Sequence, residues 1–251
     1  MPPGPEIAWT SPPFSGDIRD GQLWGRGAAD MKGAIAAFIA AADRIISAGA
    51  ATGAISLLIT GDEEGPAVNG TRKVLSWLAE RGEHIDHCLV GEPSGVAALG
   101  DTIKVGRRGS LNGWLTALGR QGHVAYPERA ENPIPALMRL LEALSAPLDE
   151  GYARFQPSNL EITDLTVGNS APNVIPQAAR ARFNVRFNPT WTGAALDEHL
   201  RARLDSVGAP YELKTTVSGE AFLTEDRAFI DLLAGAVEKR AGRRPELSTT
   251  G

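Results

Sequence analysis

At 251 residues the chain is long enough for one large domain or two medium ones, and 43% hydrophobic with 22% charged residues is ordinary globular composition. A formal net charge of -5 argues against a nucleic-acid or anionic-membrane partner, since both need a basic face. The longest apolar stretches fall far short of the ~20 residues of a membrane span. The single cysteine, Cys88, excludes an internal disulfide framework and fits a reducing cytoplasm; within Cys88-Leu89-Val90 it is expected to be a buried, inert thiol.

Residues 1–22 are rich in Pro, Gly and Asp and read as loop. Ile35, Phe38, Ile39, Ala42, Ile45 and Ile46 recur at helical spacing and predict a helix over 31–49, with Gly49 suiting the exit. Continuous apolar runs at 54–60 and 87–90 read as strands of a parallel sheet buried on both faces, and Val74, Leu75 and Leu78 mark a helix over 70–81 between them. That alternation points to an α/β layer fold.

The pattern changes near Gly109. Strands are expected at 111–118, 160–167, 181–187 and 211–217, with helices starting at Pro133 behind an Asn132 cap and covering 193–208. In 181–187, Ala181, Phe183, Val185 and Phe187 alternate with Arg182, Asn184 and Arg186, as in a sheet with one wet face. The order βαββαβ over 110–221 is ferredoxin-like, and a last helix over 227–241 would return to the first domain. The expected architecture is therefore an α/β domain of 1–109 and 222–251, mostly parallel sheet with helices on both faces, interrupted by an α+β domain of 110–221.

Four carboxylates stand out by placement. Asp30 ends Gly25-Arg26-Gly27-Ala28-Ala29 just before a helix, Glu63 and Glu64 follow the 54–60 strand, and Glu92 follows the 87–90 strand, with Pro93 holding it extended. Groups just past the carboxyl ends of parallel strands converge on one crevice, so a metal site is one reading; solvated loop acids and helix caps are the other.

In order and spacing, Gly25-Arg26-Gly27-Ala28-Ala29-Asp30-Met31-Lys32-Gly33, Gly61-Asp62-Glu63-Glu64-Gly65 and Gly91-Glu92-Pro93 resemble the zinc aminoacylase and carboxypeptidase superfamily. Pro12-Pro13-Phe14-Ser15-Gly16, Gly106-Arg107-Arg108-Gly109-Ser110, Gly122-His123-Val124-Ala125-Tyr126-Pro127, Asn173-Val174-Ile175-Pro176, Ser218-Gly219-Glu220 and Ser248-Thr249-Thr250-Gly251 extend the resemblance over essentially the whole chain. The segments around Arg107, Tyr126 and Ser248 narrow it to the succinyl-diaminopimelate desuccinylase family. The resemblance implies two Zn²⁺ ions, with Co²⁺ or Mn²⁺ as substitutes: Asp30 bridges them, Glu92 and Glu64 each ligate one, and Glu63 is the general base. It also implies a cis peptide at Asp30-Met31. His123 would reach into the partner subunit's site and stabilise the oxyanion, in a homodimer formed through 110–221. Arg107 and Arg186, with Tyr126, Asn173 and Ser218, would bind the carboxylates of a small N-acyl diamino acid in the cytoplasm. His84, His87 and His199 match no motif and read as structural, and Gly25-x-Gly27 lacks the third glycine of a dinucleotide loop.

The family also carries a His-x-Asp motif just upstream of the Pro-Pro-Gly segment and a ligand histidine beyond the Ser248 segment, and neither is in this sequence. The expectation is a fragment whose remaining ligands are all oxygen, suited to Mg²⁺ or Mn²⁺ more than Zn²⁺, with weak zinc binding and little activity alone. Two other readings stay open. One is a sister deacylase or carboxypeptidase such as an acetylornithine deacetylase; the other is an inactive remnant that keeps only its pairing role.

Overall fold

The computed structural model describes residues 3–61, 63, 65 and 67–250. They form two compact units, divided between Ser94 and Gly95.

The first unit opens with a short hairpin of β1 (Ile18–Arg19) and β2 (Gln22–Leu23), within the stretch expected to be loop. The turn between them is Asp20-Gly21, with φ of 51° and 73°. Positive φ at both central residues is what a type I′ turn needs, and Asp-Gly supplies it cheaply. The helices α1 (Gly33–Ser47) and α2 (Thr71–Glu80) fall where the periodicity puts them, and Gly49 leaves α1 at φ 65°. The 54–60 and 87–90 runs depart from expectation. They carry no β-ladder among the described residues, and their apolar side chains are open, with Ile59 63% and Val90 65% exposed. A strand is defined by the ladder it forms with a neighbour, and neither run forms one among the described residues. Cys88 shares this openness and is exposed, which corrects the buried thiol expected from its apolar neighbours.

The second unit begins with β3 (Thr102–Lys104), β4 (Gly106–Arg107), β5 (Gly109–Leu118) and β6 (Gly122–His123). There follow α3 (Pro133–Leu144), β7 (Asn159–Thr166), β8 (Val174–Ile175) and β9 (Ala178–Phe187). The unit ends with α4 (Gly193–Asp205), β10 (Tyr211–Gly219), β11 (Phe222–Leu223), α5 (Arg227–Ala241) and β12 (Glu246–Ser248). Four strands make an antiparallel sheet in the order β10-β5-β9-β7, and α3 and α4 cover one face. The arginines of β9 lie on the other, open face, as the alternation predicts. Outside this sheet, β12 pairs with β3 in parallel and β11 with β4 antiparallel, so the chain leaving the sheet is tied to the chain entering it.

The helix ends follow their caps. Asn132 Oδ1 accepts from the Ile134 N–H at 3.0 Å with Pro133 as first helical residue, and Thr192 Oγ1 accepts from Ala195 N–H at 3.2 Å. The core is built from Leu111, Leu115, Leu140, Leu144, Phe183, Val185, Phe187, Leu196, Leu200 and Leu204, all fully buried.

Two glycines on β5 decide how the central strands fit. Gly113 lies directly across from Phe183 and Gly109 from Phe187. A Cβ on Gly113 would sit 2.1 Å from Phe183 Cζ, and one on Gly109 2.2 Å from Phe187 Cζ. Each phenyl ring therefore folds flat over a bare backbone. Gly113→Ala is expected to destabilise the protein by about 1–3 kcal/mol, the usual cost of overpacking a filled core. The check is a fall in the urea midpoint at unchanged m-value.

Candidate functional site

In the first unit the Gly25–Gly33 motif is clamped to the Pro12-Pro13 segment. The Arg26 N–H donates to Pro13 O at 2.7 Å, and a Cβ on Gly25, whose φ is 153°, would crowd the same oxygen at 3.2 Å. The backbone leaves helical geometry at Asp30 and Met31 before α1 begins, and the Asp30-Met31 peptide is cis, at the position the motif implies.

Gly91 rests on the first turns of α1. A Cβ there would be 2.8 Å from Ala34 Cβ and 2.7 Å from Phe38 Cε2. The helix that starts just after Asp30 is thus packed against the residue just before Glu92, which brings the two acid-bearing segments together. Both carboxylates are exposed. Glu63 sits in a turn with an exposed side chain, and Glu64 lies outside the described residues. Among the described residues, no group of three or more His, Cys, Asp or Glu side chains is gathered closely enough to hold a metal ion.

In the second unit the expected substrate binders fall into two groups. Arg107, Ser218 and Arg186 gather where β5 begins. Ser218 Oγ donates to Ser110 O at 3.2 Å, Ser110 is paired with Arg186 across the β5–β9 ladder, and the Arg107 guanidinium covers Gly219. A Cβ on Gly219 would stand 2.6 Å from Arg107 Nη2. A β-bulge between Val217 and Gly219 turns the strand at this point, and Glu220 Oε2 then accepts from the Gly193 N–H at 2.9 Å, capping α4. The sequence reading missed the polar set beside these residues: Asn184 Nδ2 donates to Ser110 Oγ and to Asn112 Oδ1, at 3.2 and 2.9 Å. Its signal was present, as Asn184 and Asn112 face each other in register, but register is a pairing fact that one strand alone cannot display.

His123, Tyr126 and Asn173 gather beyond the other end of β5. The His123 ring lies 6.0 Å from that of Tyr126, and its Nε2 is 3.5 Å from the side-chain amide of Asn173. The Ala125 N–H donates to His123 Nδ1 at 3.1 Å. β5 has ten residues, and at ~3.4 Å per residue the two groups stand roughly 30 Å apart.

Of the other histidines, His199 packs on Trp191 at 4.9 Å, and burial, with Arg203 nearby, holds its pKa below the ordinary value. That is a structural placement, as expected. His84 lies 3.3 Å from Asp86 on the surface.

The model of the peptidase family M20/M25/M40 matches residues 1–251. The chain belongs to this family. It is 59% identical over 256 residues to the succinyl-diaminopimelate desuccinylase of Parvibaculum lavamentivorans, covering 100% of this chain and 65% of that protein. It is 58% identical over 256 residues to the protein of the same name from Beijerinckia indica, covering 100% of this chain and 67% of the relative. The chain thus spans about two thirds of the length of these relatives. Among solved structures, an M20 family metallo-carboxypeptidase from Sulfolobus solfataricus matches with a TM-score of 0.70 at 15% identity, over 100% of this chain and 69% of that one. An aminopeptidase from Bacillus cereus matches at 0.69 and 17%, over 94% of this chain and 62% of that one. At these identities the likeness is one of fold.

The exposure of Cys88 has a direct readout. The folded protein is expected to react with a thiol reagent to one full equivalent without denaturant.

Proposed function

We propose that the chain carries about two thirds of a metal-dependent amide hydrolase that cleaves N-succinyl-LL-2,6-diaminopimelate to succinate and LL-2,6-diaminopimelate, a step of lysine and diaminopimelate formation. The observation that carries this reading is the gathering of Arg107, Arg186 and Ser218 at one sheet end, in a chain so close in sequence to relatives of that name. Arginine forks bind carboxylates in two-point fashion, and this substrate is rich in carboxylates.

Asp30, Glu64 and Glu92 would hold the metal, two Zn²⁺ ions in the full assembly with Co²⁺ or Mn²⁺ as substitutes. Support comes from the seating of Gly91 on α1, which joins the Asp30 and Glu92 segments, and from the chemistry of the donors, since carboxylate oxygens serve divalent cations. When bound, the metal polarises the amide carbonyl and acidifies water. Glu63, next to a ligand but not one itself, takes the proton from the attacking water and returns it to the leaving amine.

The two groups of the second unit support a homodimer. A diamino acid is far shorter than the roughly 30 Å set by a ten-residue strand, so the arginine end and His123 of one chain cannot share one substrate. His123 therefore serves a second copy, stabilising the oxyanion there, with Tyr126 and Asn173 beside it. On this reading 110–221 is the pairing domain, set into a catalytic domain of 1–109 and 222–251. The joining of β3 to β12 and of β4 to β11 at the two crossing points fits that division.

The test is turnover of N-succinyl-LL-2,6-diaminopimelate, N-acetylornithine and a dipeptide by the purified protein with Zn²⁺ or Co²⁺. Succinyl turnover is expected to exceed the others, and Glu63→Gln to lower kcat by ~10²–10⁴ without changing the circular dichroism. Preferred turnover of the acetyl or dipeptide substrate would overturn the desuccinylase reading, and no turnover of any would leave the pairing role alone. Arg107→Lys is expected to raise KM by roughly tenfold or more with little change in kcat, because lysine keeps the charge but loses the fork.

A further inference from the structure

Beneath the arginine end of the sheet, outside every motif, lies a hydrogen-bond hub centred on Asp149. Its Oδ1 accepts from the Gly151 N–H at 2.8 Å, the Ser158 N–H at 3.1 Å and Asn188 Nδ2 at 2.7 Å. Its Oδ2 accepts from the Trp191 indole N–H at 2.9 Å. Asn188 is fully buried and continues the network: it donates to Gln156 O at 3.3 Å, its N–H donates to Ser158 Oγ at 3.0 Å, and its Oδ1 accepts from the Thr190 N–H at 2.9 Å. Burial would push the Asp149 carboxyl up, but the Ser158 side chain and the converging N–H groups outweigh it and hold the pKa below the ordinary carboxylate value.

These bonds close the loop 149–158 from both ends and fix it to the residues just after β9. What the loop then touches gives the hub its meaning. Phe155, buried, lies over Gly106, where a Cβ would stand 3.1 Å from its Cζ, and Gly106 is the residue before Arg107 on β4. The carbonyl of Arg154 accepts from Thr249 Oγ1 at 2.9 Å, and Thr249 is itself buried. At the loop's exit, Asn159 accepts from Arg108 Nη1 at 3.1 Å and pairs with Arg186 across the β7–β9 ladder. These contacts lead from the loop to Gly106 beside Arg107, to Asn159 opposite Arg186, and to Thr249.

We propose that Asp149 is a positioning residue for the carboxylate-binding end of the sheet, setting Arg107 and the Ser248–Thr250 segment through the loop 149–158. The proposal rests on the reading of Arg107 as a carboxylate binder only for its consequence in binding; the positioning itself is a separate claim.

The experiment is amide hydrogen exchange, read by peptide, on the whole chain and on Asp149→Asn, with succinate as the binding probe in a parallel titration. Exchange is expected to quicken on the order of tenfold or more in 150–158, and also in 104–107 and 247–250, because losing a charge-assisted hydrogen bond favours local opening. The α3 and α4 peptides are expected to keep their protection. Should Asp149→Asn fold poorly, Trp191→Phe, which removes one donor only, is expected to give the same regional pattern at smaller amplitude. Faster exchange confined to 150–158, with 104–107 and 247–250 unchanged, would overturn the proposal. A matching loss of succinate affinity supports both claims. Spread of exchange to 104–107 and 247–250 with wild-type succinate binding absent or unaltered would sustain the positioning and sink the carboxylate reading of Arg107. A pH titration adds an independent sign. Because the folded pKa is depressed, the hub's stability is complete above the ordinary carboxylate value and is lost as pH falls below it. Exchange in 247–250 of the wild type, corrected for intrinsic rates, is expected to rise toward that of Asp149→Asn as pH falls below about 4; an unchanged gap there would count against the proposal.

Discussion

The pairing of β5 with β9 is the constraint on which the second unit turns. These two central strands run antiparallel over ten residues, and the two largest core rings, Phe183 and Phe187, fold over Gly113 and Gly109 on the facing strand. Because the glycines present no side chain, the rings lie down onto the sheet and leave space for the leucines of α3 and α4 above them. A shift of one residue in this register would put the arginines of β9 into the core and the phenylalanines into water, so packing and register enforce each other.

From that register follows the placement of chemistry. Arg186 falls at one end of β9 and the 173–175 segment precedes its other end, while β5 carries Ser110 near its start and leads to His123 past its finish. The sheet works as a rigid spacer with one polar group at each end. The hub under Asp149 reinforces the arginine end, where the strands would otherwise open into loops. At the opposite end the His123 hairpin is tied down by the Val124 N–H, which donates to Asn173 O at 3.1 Å. Rigid spacing of this kind holds the two groups at a fixed reach from one another.

The first unit is organised differently. Its local structures are well determined by short-range rules: a type I′ turn at Asp20-Gly21, a clamp between Pro13 and Arg26, and a helix that begins once the chain has passed Asp30. Its apolar runs at 54–60 and 87–90 stay open, so this unit is defined by its turns and helices more than by a core. Helix boundaries in both units were legible because caps and periodicity act within a few residues: Asn132 and Gly49 each mark the end they were expected to mark. The strands of the first unit were misjudged for the opposite reason, since an apolar run announces burial but not the partner that turns it into a sheet. Cys88 was misread with them, its neighbours being apolar but uncovered.

The sequence by itself determined the family, through acid motifs whose order survives without any geometry, and the α/β class, through periods of 3.6 and 2 that depend only on backbone sterics. It also singled out candidate binders, from Arg107 to Ser218. Tertiary structure alone decided which of them stand together. Arg107, Arg186 and Ser218 meet through strand register and a bulge, His123, Tyr126 and Asn173 meet a strand's length away, and Asp149, in no motif, holds the first group from beneath. The reason is physical: local propensity is a property of a few neighbouring residues, whereas register, reach and buried hydrogen bonding are fixed only when distant segments pack.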